Sequence, residues 1–214
     1  MQVLDLFCGA GGLSNGFVQA GFKIIAGIDN NDDALQTFTH NHQNVKAIKA
    51  NLASLKPQTI KDQLNLKKID VIIGGPPCQG FSIAGKRIIE DERNQLYKSF
   101  VSFVKYFQPK VFLLENVPNI TAIGKGAIKE QIISDFNKLG YAVKCQILLA
   151  ANFSVPQNRK RAFFVGLKND AEFKFPALNK ELTISASEAI SDLPMHTLEN
   201  GSCFQLRRKV LIKI

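Results

Sequence analysis

Short apolar runs alternate with stretches of helical period along this chain. Val3, Leu4, Leu6 and Phe7 surround a lone Asp5 and stop at a glycine-rich turn, which predicts a buried strand over residues 3–7. A helix follows over 14–20, with Gly21 as its stop, then a strand over 23–28 and a helix over 32–41 that Asp32 can cap. Further strands are predicted over 45–50 and 69–73, the latter ending at Gly74-Gly75-Pro76-Pro77. A helix over 95–107, a strand over 111–114 and a helix over 128–139 closed by Gly140 come next. Residues 143–149 and 162–167 read as a closing antiparallel pair.

Helices between successive strands imply a mostly parallel sheet with right-handed crossovers. The expected fold class is therefore α/β, a Rossmann-like doubly wound sheet with a closing antiparallel strand. Ligands of such sheets sit at the carboxyl ends of the strands. Three clusters fall there: Gly9-Ala10-Gly11-Gly12, Pro76-Pro77-Cys78 and Glu115-Asn116. Residues 1–175 are expected to form the catalytic domain, and 176–214 a linker with the start of a further region.

The first turn reads Asp5-Leu6-Phe7-Cys8-Gly9-Ala10-Gly11-Gly12-Leu13. Its glycines let the backbone turn tightly and approach a ligand closely. Asp29, at the end of the second strand, stands at about the spacing where a dinucleotide fold places its ribose-binding acid. A nicotinamide-type fingerprint wants a third glycine where Ser14 stands, and no Lys-Ser/Thr pair follows the glycines as in a P-loop. A plain strand-to-helix turn with an incidental acid is the competing reading.

Two prolines fix the backbone before Cys78, and glycines flank it. A thiol held rigidly at a strand's carboxyl end suits a nucleophile, given positive charge nearby to favour the thiolate. Cys8, Cys145 and Cys203 read instead as small buried hydrophobes. Glu115, after an apolar strand, is poorly explained by packing, and beside a cleft it can donate to a ring nitrogen. Arg159 and Arg161 alternate by two, so an extended segment points both to one side, against a solvated basic run as the plainer reading.

Composition adds little that is specific. The 214 residues are 45% hydrophobic and 21% charged, enough for one good core. The formal charge of +9 favours polyanions. Four dispersed cysteines and three histidines make a metal site unexpected. No apolar run suits a bilayer and no secretory leader opens the chain, so no membrane partner and a cytoplasmic location are expected.

Taken together, DLFCGAGG, Asp29, GGPPCQGFS, ENV and QNRKR, in that order, resemble the bacterial cytosine-C5 DNA methyltransferases of restriction-modification systems. The likeness runs over about residues 1–195 and includes Asp91-Glu92-Arg93-Asn94-Gln95-Leu96-Tyr97. It implies S-adenosylmethionine as cofactor and double-stranded DNA as partner. It implies Cys78 as the nucleophile on C6 of a flipped cytosine, Glu115 at N3 and the exocyclic amine, Arg161 on O2 and Arg159 as a brace. Phe7, Asp29, Asn30 and Leu96 are to line the cofactor site, with Gly9 and Gly11 at the methionine end. Ala10, Gly12, Leu13, Leu52 and Pro76 belong to the same implied site, and Asn51 stands where the family usually has an aspartate facing the adenine amino group.

Family members continue into a target-recognition domain, which the last residues do not match. The expectation is a truncated enzyme or one subunit of a split enzyme with a complementing subunit. An inactive cofactor-binding remnant and an RNA methyltransferase of the same superfamily are the alternatives.

Overall fold

The computed structural model describes residues 1–77, 95–169, 173–177 and 184–192. Cys78 and Cys203 lie outside the described residues. The chain divides into two compact units, one of residues 1–148 and 160–175, the other of 149–159 and 176–214.

The first unit carries a seven-stranded sheet in the order β3-β2-β1-β4-β5-β7-β6. The strands are β1 (Gln2–Leu6), β2 (Lys23–Asp29), β3 (Lys46–Lys49), β4 (Val71–Gly74), β5 (Val111–Asn116), β6 (Tyr141–Leu149) and β7 (Lys160–Lys168). β1 pairs in parallel with β2 and with β4, β2 with β3, and β4 with β5. β7 is antiparallel to β5 and lies between it and β6, so the late pair is inserted at the edge rather than appended in chain order. The helices are α1 (Gly12–Gln19), α2 (Asp32–Asn41), α3 (Pro57–Gln63), α4 (Gln95–Phe107) and α5 (Ala127–Asn137).

Both faces of the sheet are covered, which is why its strands read as continuous apolar runs. Alternate residues go to opposite faces. Leu4, Leu6 and Ile72 join Ile60 of α3, Phe100 and Phe103 of α4, and Ile132 and Phe136 of α5. Val3, Val71 and Ile73 join Leu35 and Phe38 of α2, with Leu13 and Phe17 of α1 against them. Asp5 shares the parity of Val3, so the sheet itself turns this carboxyl toward the α1–α2 side.

Two local readings change. The cap of α2 is Asn31, whose Oδ1 accepts from the Ala34 N–H at 2.9 Å; Asp32 is already the first helical residue. The first helix starts at Gly12, two residues before the expected Ser14, with Gly11 (φ 89°, left-handed) as its N-cap. The second unit contains a 3-10 turn at Ala150–Phe153 and the short helix α6 (Ala186–Ala189), opened by a capping box between Ser185 and Glu188.

Phe112 of β5 lies opposite Gly166 of β7 and stacks on Phe136 with ring centroids 3.9 Å apart. A Cβ at Gly166 would stand 2.0 Å from the Phe112 ring. Gly166→Ala should therefore lower unfolding free energy by about 1–3 kcal/mol, the range for overpacking a core. Urea denaturation checks it; a variant as stable as the parent would show that the ring has room to move.

Candidate active site

The strand order reverses at β1, with β2 on one side and β4 on the other, so a crevice opens beyond the ends of β1 and β4. The glycine turn leaves β1 there and the Pro76-Pro77 segment leaves β4. Phe7 takes φ +60°, a left-handed conformation unusual for a bulky residue, at the point where the chain quits the sheet. Cys8 N–H then bonds to Ile28 O at 3.1 Å, extending the pairing of β1 with β2.

Asp29 braces this turn. Its Oδ2 accepts from Gly9 N–H at 2.9 Å and its Oδ1 from Asn31 N–H at 3.0 Å. Each carboxylate oxygen keeps a second lone pair, so the same group can still accept from a ligand's hydroxyls. A Cβ built on Gly9 or on Gly12 meets nothing within 4 Å, so the outward side of the turn is open space. Gly11 differs: a Cβ there would be 2.4 Å from His42 and 2.9 Å from Phe38. The outward room, the acid and the first-turn N–H groups of α1 suit a ligand with a ribose and a charged amino-acid end, so S-adenosylmethionine fits these residues.

Neighbouring positions are placed as follows. Asn30 and Ala10 are exposed, and Leu13 packs partly against the core. Asn51, just beyond β3, is exposed, but its Oδ1 accepts from Ala53 N–H at 3.0 Å. That oxygen keeps a second lone pair, free to accept from a ligand. Leu52 is buried in the core. Leu96 is half-buried in the first turn of α4.

The ends of β4 and β5 converge on a second group. Asn116 Nδ2 donates to Pro76 O at 2.9 Å, a buried bond that fixes the chain two residues before Cys78. Pro76 is buried, and a Cβ on Gly75 would lie 3.0 Å from Glu115 Oε2, so the glycine makes room for the acid. Arg161 Nε lies 2.8 Å from Glu115 Oε1, with both side chains 24% exposed. In the β5–β7 register Glu115 faces Phe163, which puts Arg161 diagonally across from it. Arg161 Nη1 also donates to Lys160 O at 2.7 Å, so its guanidinium is held from two sides. Arg159 belongs to the second unit, where its carbonyl accepts from Ala150 N–H at 2.9 Å.

Sequence reasoning gave no role of their own to Asp5, Ser14, Asn116 and His42. Asp5 is 1% exposed; Ser14 Oγ donates to its Oδ2 at 2.6 Å, and its Oδ1 has no partner among the described residues. Burial raises this carboxyl from 3.8 to about 7, opposed by the Ser14 hydroxyl and reinforced by the charge of Asp29. The only signal in the sequence was a lone acid inside an apolar strand. Cys8 is inert by the same physics: burial and the charges of Asp5 and Asp29 push its thiol up.

The raised Asp5 pKa has a signed consequence for stability. Between about pH 4 and pH 7 the unfolded chain releases this proton while the folded chain keeps it. The stability is therefore full below the unfolded value and falls as pH climbs toward 7. Asp5→Asn has no proton to lose. Its unfolding free energy relative to the parent should rise across that window by on the order of a few kcal/mol. Urea melts at stepped pH would contradict this by giving a constant gap.

Comparison with known proteins agrees with this geometry. The family model for C-5 cytosine-specific DNA methylase matches residues 1–209. The chain is 41% identical over 204 residues to the type II methyltransferase M.DdeI of Desulfomicrobium norvegicum, covering 91% of this chain and 49% of that protein. It is 40% identical to M1.HphI of Haemophilus parahaemolyticus, covering 91% and 53%. A solved E. coli structure, described as a prophage-encoded DNA modification methyltransferase, aligns with TM-score 0.78 and 32% identity over 91% of this chain and 55% of its own. Spodoptera frugiperda DNMT2, at 23% identity and TM-score 0.71, shares the fold. The chain spans about half the length of the relatives it matches. On a family match over nearly its whole length, the chain belongs to the C-5 cytosine-specific DNA methylases.

Proposed function

We propose that this chain carries the methyl-transfer half of a DNA cytosine-C5 methyltransferase. The observation that supports it most is the Glu115–Arg161 pair at 2.8 Å, standing at the β5 end next to the segment that delivers Cys78. A carboxyl and a guanidinium fixed side by side match the N3–amine edge and the O2 of a cytosine ring.

Cytosine C5 is a poor nucleophile until the ring is saturated at C6, so the chemistry needs a covalent partner. The target base leaves the duplex and enters the crevice. Cys78, which lies outside the described residues, attacks C6 as thiolate and pushes electron density to C5. Glu115 meets N3 and the exocyclic amine, and Arg161 meets O2, so charge that builds on the ring finds fixed partners. S-adenosylmethionine supplies the methyl group to C5. Loss of the C5 proton then expels the thiolate and restores the aromatic ring.

In this reading Gly9, Gly11, Gly12, Leu13 and Asp29 seat the cofactor, with Phe7, Ala10, Asn30, Asn51, Leu52, Pro76 and Leu96 around it. Asn51 differs from an aspartate in a way that affects the base end. Its Oδ1 accepts from Ala53 N–H and keeps a second lone pair, so it can still accept from the adenine amino group, as a neutral and weaker partner than a carboxylate. A bracing role for Arg159 rests on the family likeness alone; residues 1–175 act as the catalytic domain, and residues 176–214 lead toward target recognition. Reading of the DNA sequence falls to a region or complementing subunit that corresponds to the rest of the relatives' length. Among the described residues no helix is long and apolar enough to cross a membrane.

The test uses the complete or complemented enzyme on duplex DNA carrying 5-fluorocytosine, where the C5 fluorine cannot leave and the covalent adduct accumulates. The parent should form the adduct, and Cys78→Ser should form none while still binding S-adenosylmethionine. Arg161→Ala should slow transfer on the order of a hundredfold, the scale for removing one fixed donor from developing charge. An adduct with Cys78→Ser, or transfer to RNA with none to DNA, would overturn the reading.

A further inference from the structure

The glycine turn is held from beneath by the far end of α2. His42, the C-cap of α2, is buried, and its Nε2 lies 3.1 Å from Gly11 O. A carbonyl has no hydrogen to give, so the imidazole donates and its proton sits on Nε2. Gly11 O also accepts from Asn15 N–H at 2.8 Å, which uses both of its lone pairs. Next to His42, Asn41 Nδ2 donates to Ala10 O at 3.4 Å. The His42 ring packs on Phe38 with centroids 4.6 Å apart, and both rings close on the Gly11 α-carbon. The His42 backbone is itself fixed: its N–H bonds to Phe38 O at 2.8 Å and its carbonyl accepts from Val45 N–H at 2.9 Å.

We propose that His42 is a positioning residue for the cofactor turn, setting the direction of the Gly12 N–H through the bond from its Nε2 to Gly11 O. This rests on the reading of that turn as the S-adenosylmethionine seat. The peptide unit is rigid and planar, so whatever fixes the Gly11 carbonyl fixes the Gly12 N–H pointing the opposite way. Gly11 has φ +89°, a region that glycine enters as easily as it leaves. The conformation that aims the first-turn N–H groups of α1 outward is therefore not enforced by the residue itself. Gly11 makes no side-chain cap either, so within α1 its carbonyl is held by the Asn15 N–H, and His42 adds a second restraint from outside the helix. Asp29 fixes the start of the turn at Gly9 and His42 fixes its end at Gly11. A turn tied at both ends meets the cofactor already ordered, and ordering on binding would cost affinity.

Two variants separate the donor from the ring. His42→Phe keeps an aromatic ring against Phe38 and Gly11 but donates nothing. His42→Gln keeps an N–H donor on a flexible chain. Both are to be compared with the parent at a temperature where circular dichroism shows all three folded, so that a change in stability alone leaves binding unmoved. By calorimetry, His42→Phe should weaken S-adenosylmethionine binding about tenfold, the scale of one buried hydrogen bond, and His42→Gln should recover much of it. In long-range proton–nitrogen spectra of the parent, the His42 ring should carry its proton on Nε2. His42→Phe binding as tightly as the parent, His42→Gln binding as weakly as His42→Phe, or a proton on Nδ1 alone would overturn the proposal. If the parent chain binds no S-adenosylmethionine, the cofactor reading of the turn fails for this chain. Amide exchange at Gly12 then decides the positioning claim: faster exchange in His42→Phe supports it and equal exchange removes it.

Discussion

Parallel pairing of β1 on both of its edges is the constraint from which the site follows. With β2 on one side and β4 on the other, all three strands end at the same border of the sheet. The turn after β1, the acid at the end of β2 and the proline segment after β4 are then forced together, although they are far apart in sequence. The close approach has a steric condition. A Cβ on Gly74 would stand 2.2 Å from Leu6 O, and one on Gly27 would stand 2.4 Å from the Phe38 ring. Glycine at these positions lets β1 sit tightly between its neighbours and lets Phe38 fill the space under the turn.

On that frame the polar groups divide their work by depth. Asp5 and Ser14 are buried under the turn, where desolvation favours the protonated acid. Asp29 lies nearer the surface and ties Gly9 to Asn31. Glu115 and Arg161 form a partly exposed pair at the β5–β7 border. Buried carboxyl, bracing carboxylate and ion-paired carboxylate are the same functional group in three environments. Only the last of them stands beside the segment leading to Cys78, which is why it and not Asp5 is assigned to the base.

Much of this was legible in the chain because it depends on local period and on order. α2 and α4 match their predicted spans, since both carry clear apolar faces between good stops. The placing of the glycine turn, Asp29, Glu115 and Arg161 at strand ends was legible because core packing gives no reason for glycines and charges beside apolar runs. α3 was missed because Pro-Gln-Thr-Ile-Lys-Asp-Gln buries Ile60 alone and so has no helical stripe. The place of β7 between β5 and β6 was not legible, because strand order is set by packing and not by the sequence of elements. His42 was invisible for a related reason: its bond reaches 31 residues back, and a lone histidine after a helix has no local signature.

The border formed by the ends of β1, β2 and β3 is the seat proposed for the cofactor. Backbone amide shifts recorded while the chain is titrated with S-adenosylhomocysteine test it most directly, because they locate the ligand without requiring turnover. Shifts are expected at Gly9, Gly12, Leu13, Asn30 and Asn51, with the opposite border around Asp70 and Lys110 unchanged. Saturable binding whose shifts fall around Asp70 and Lys110, leaving the glycine turn untouched, would contradict this placement.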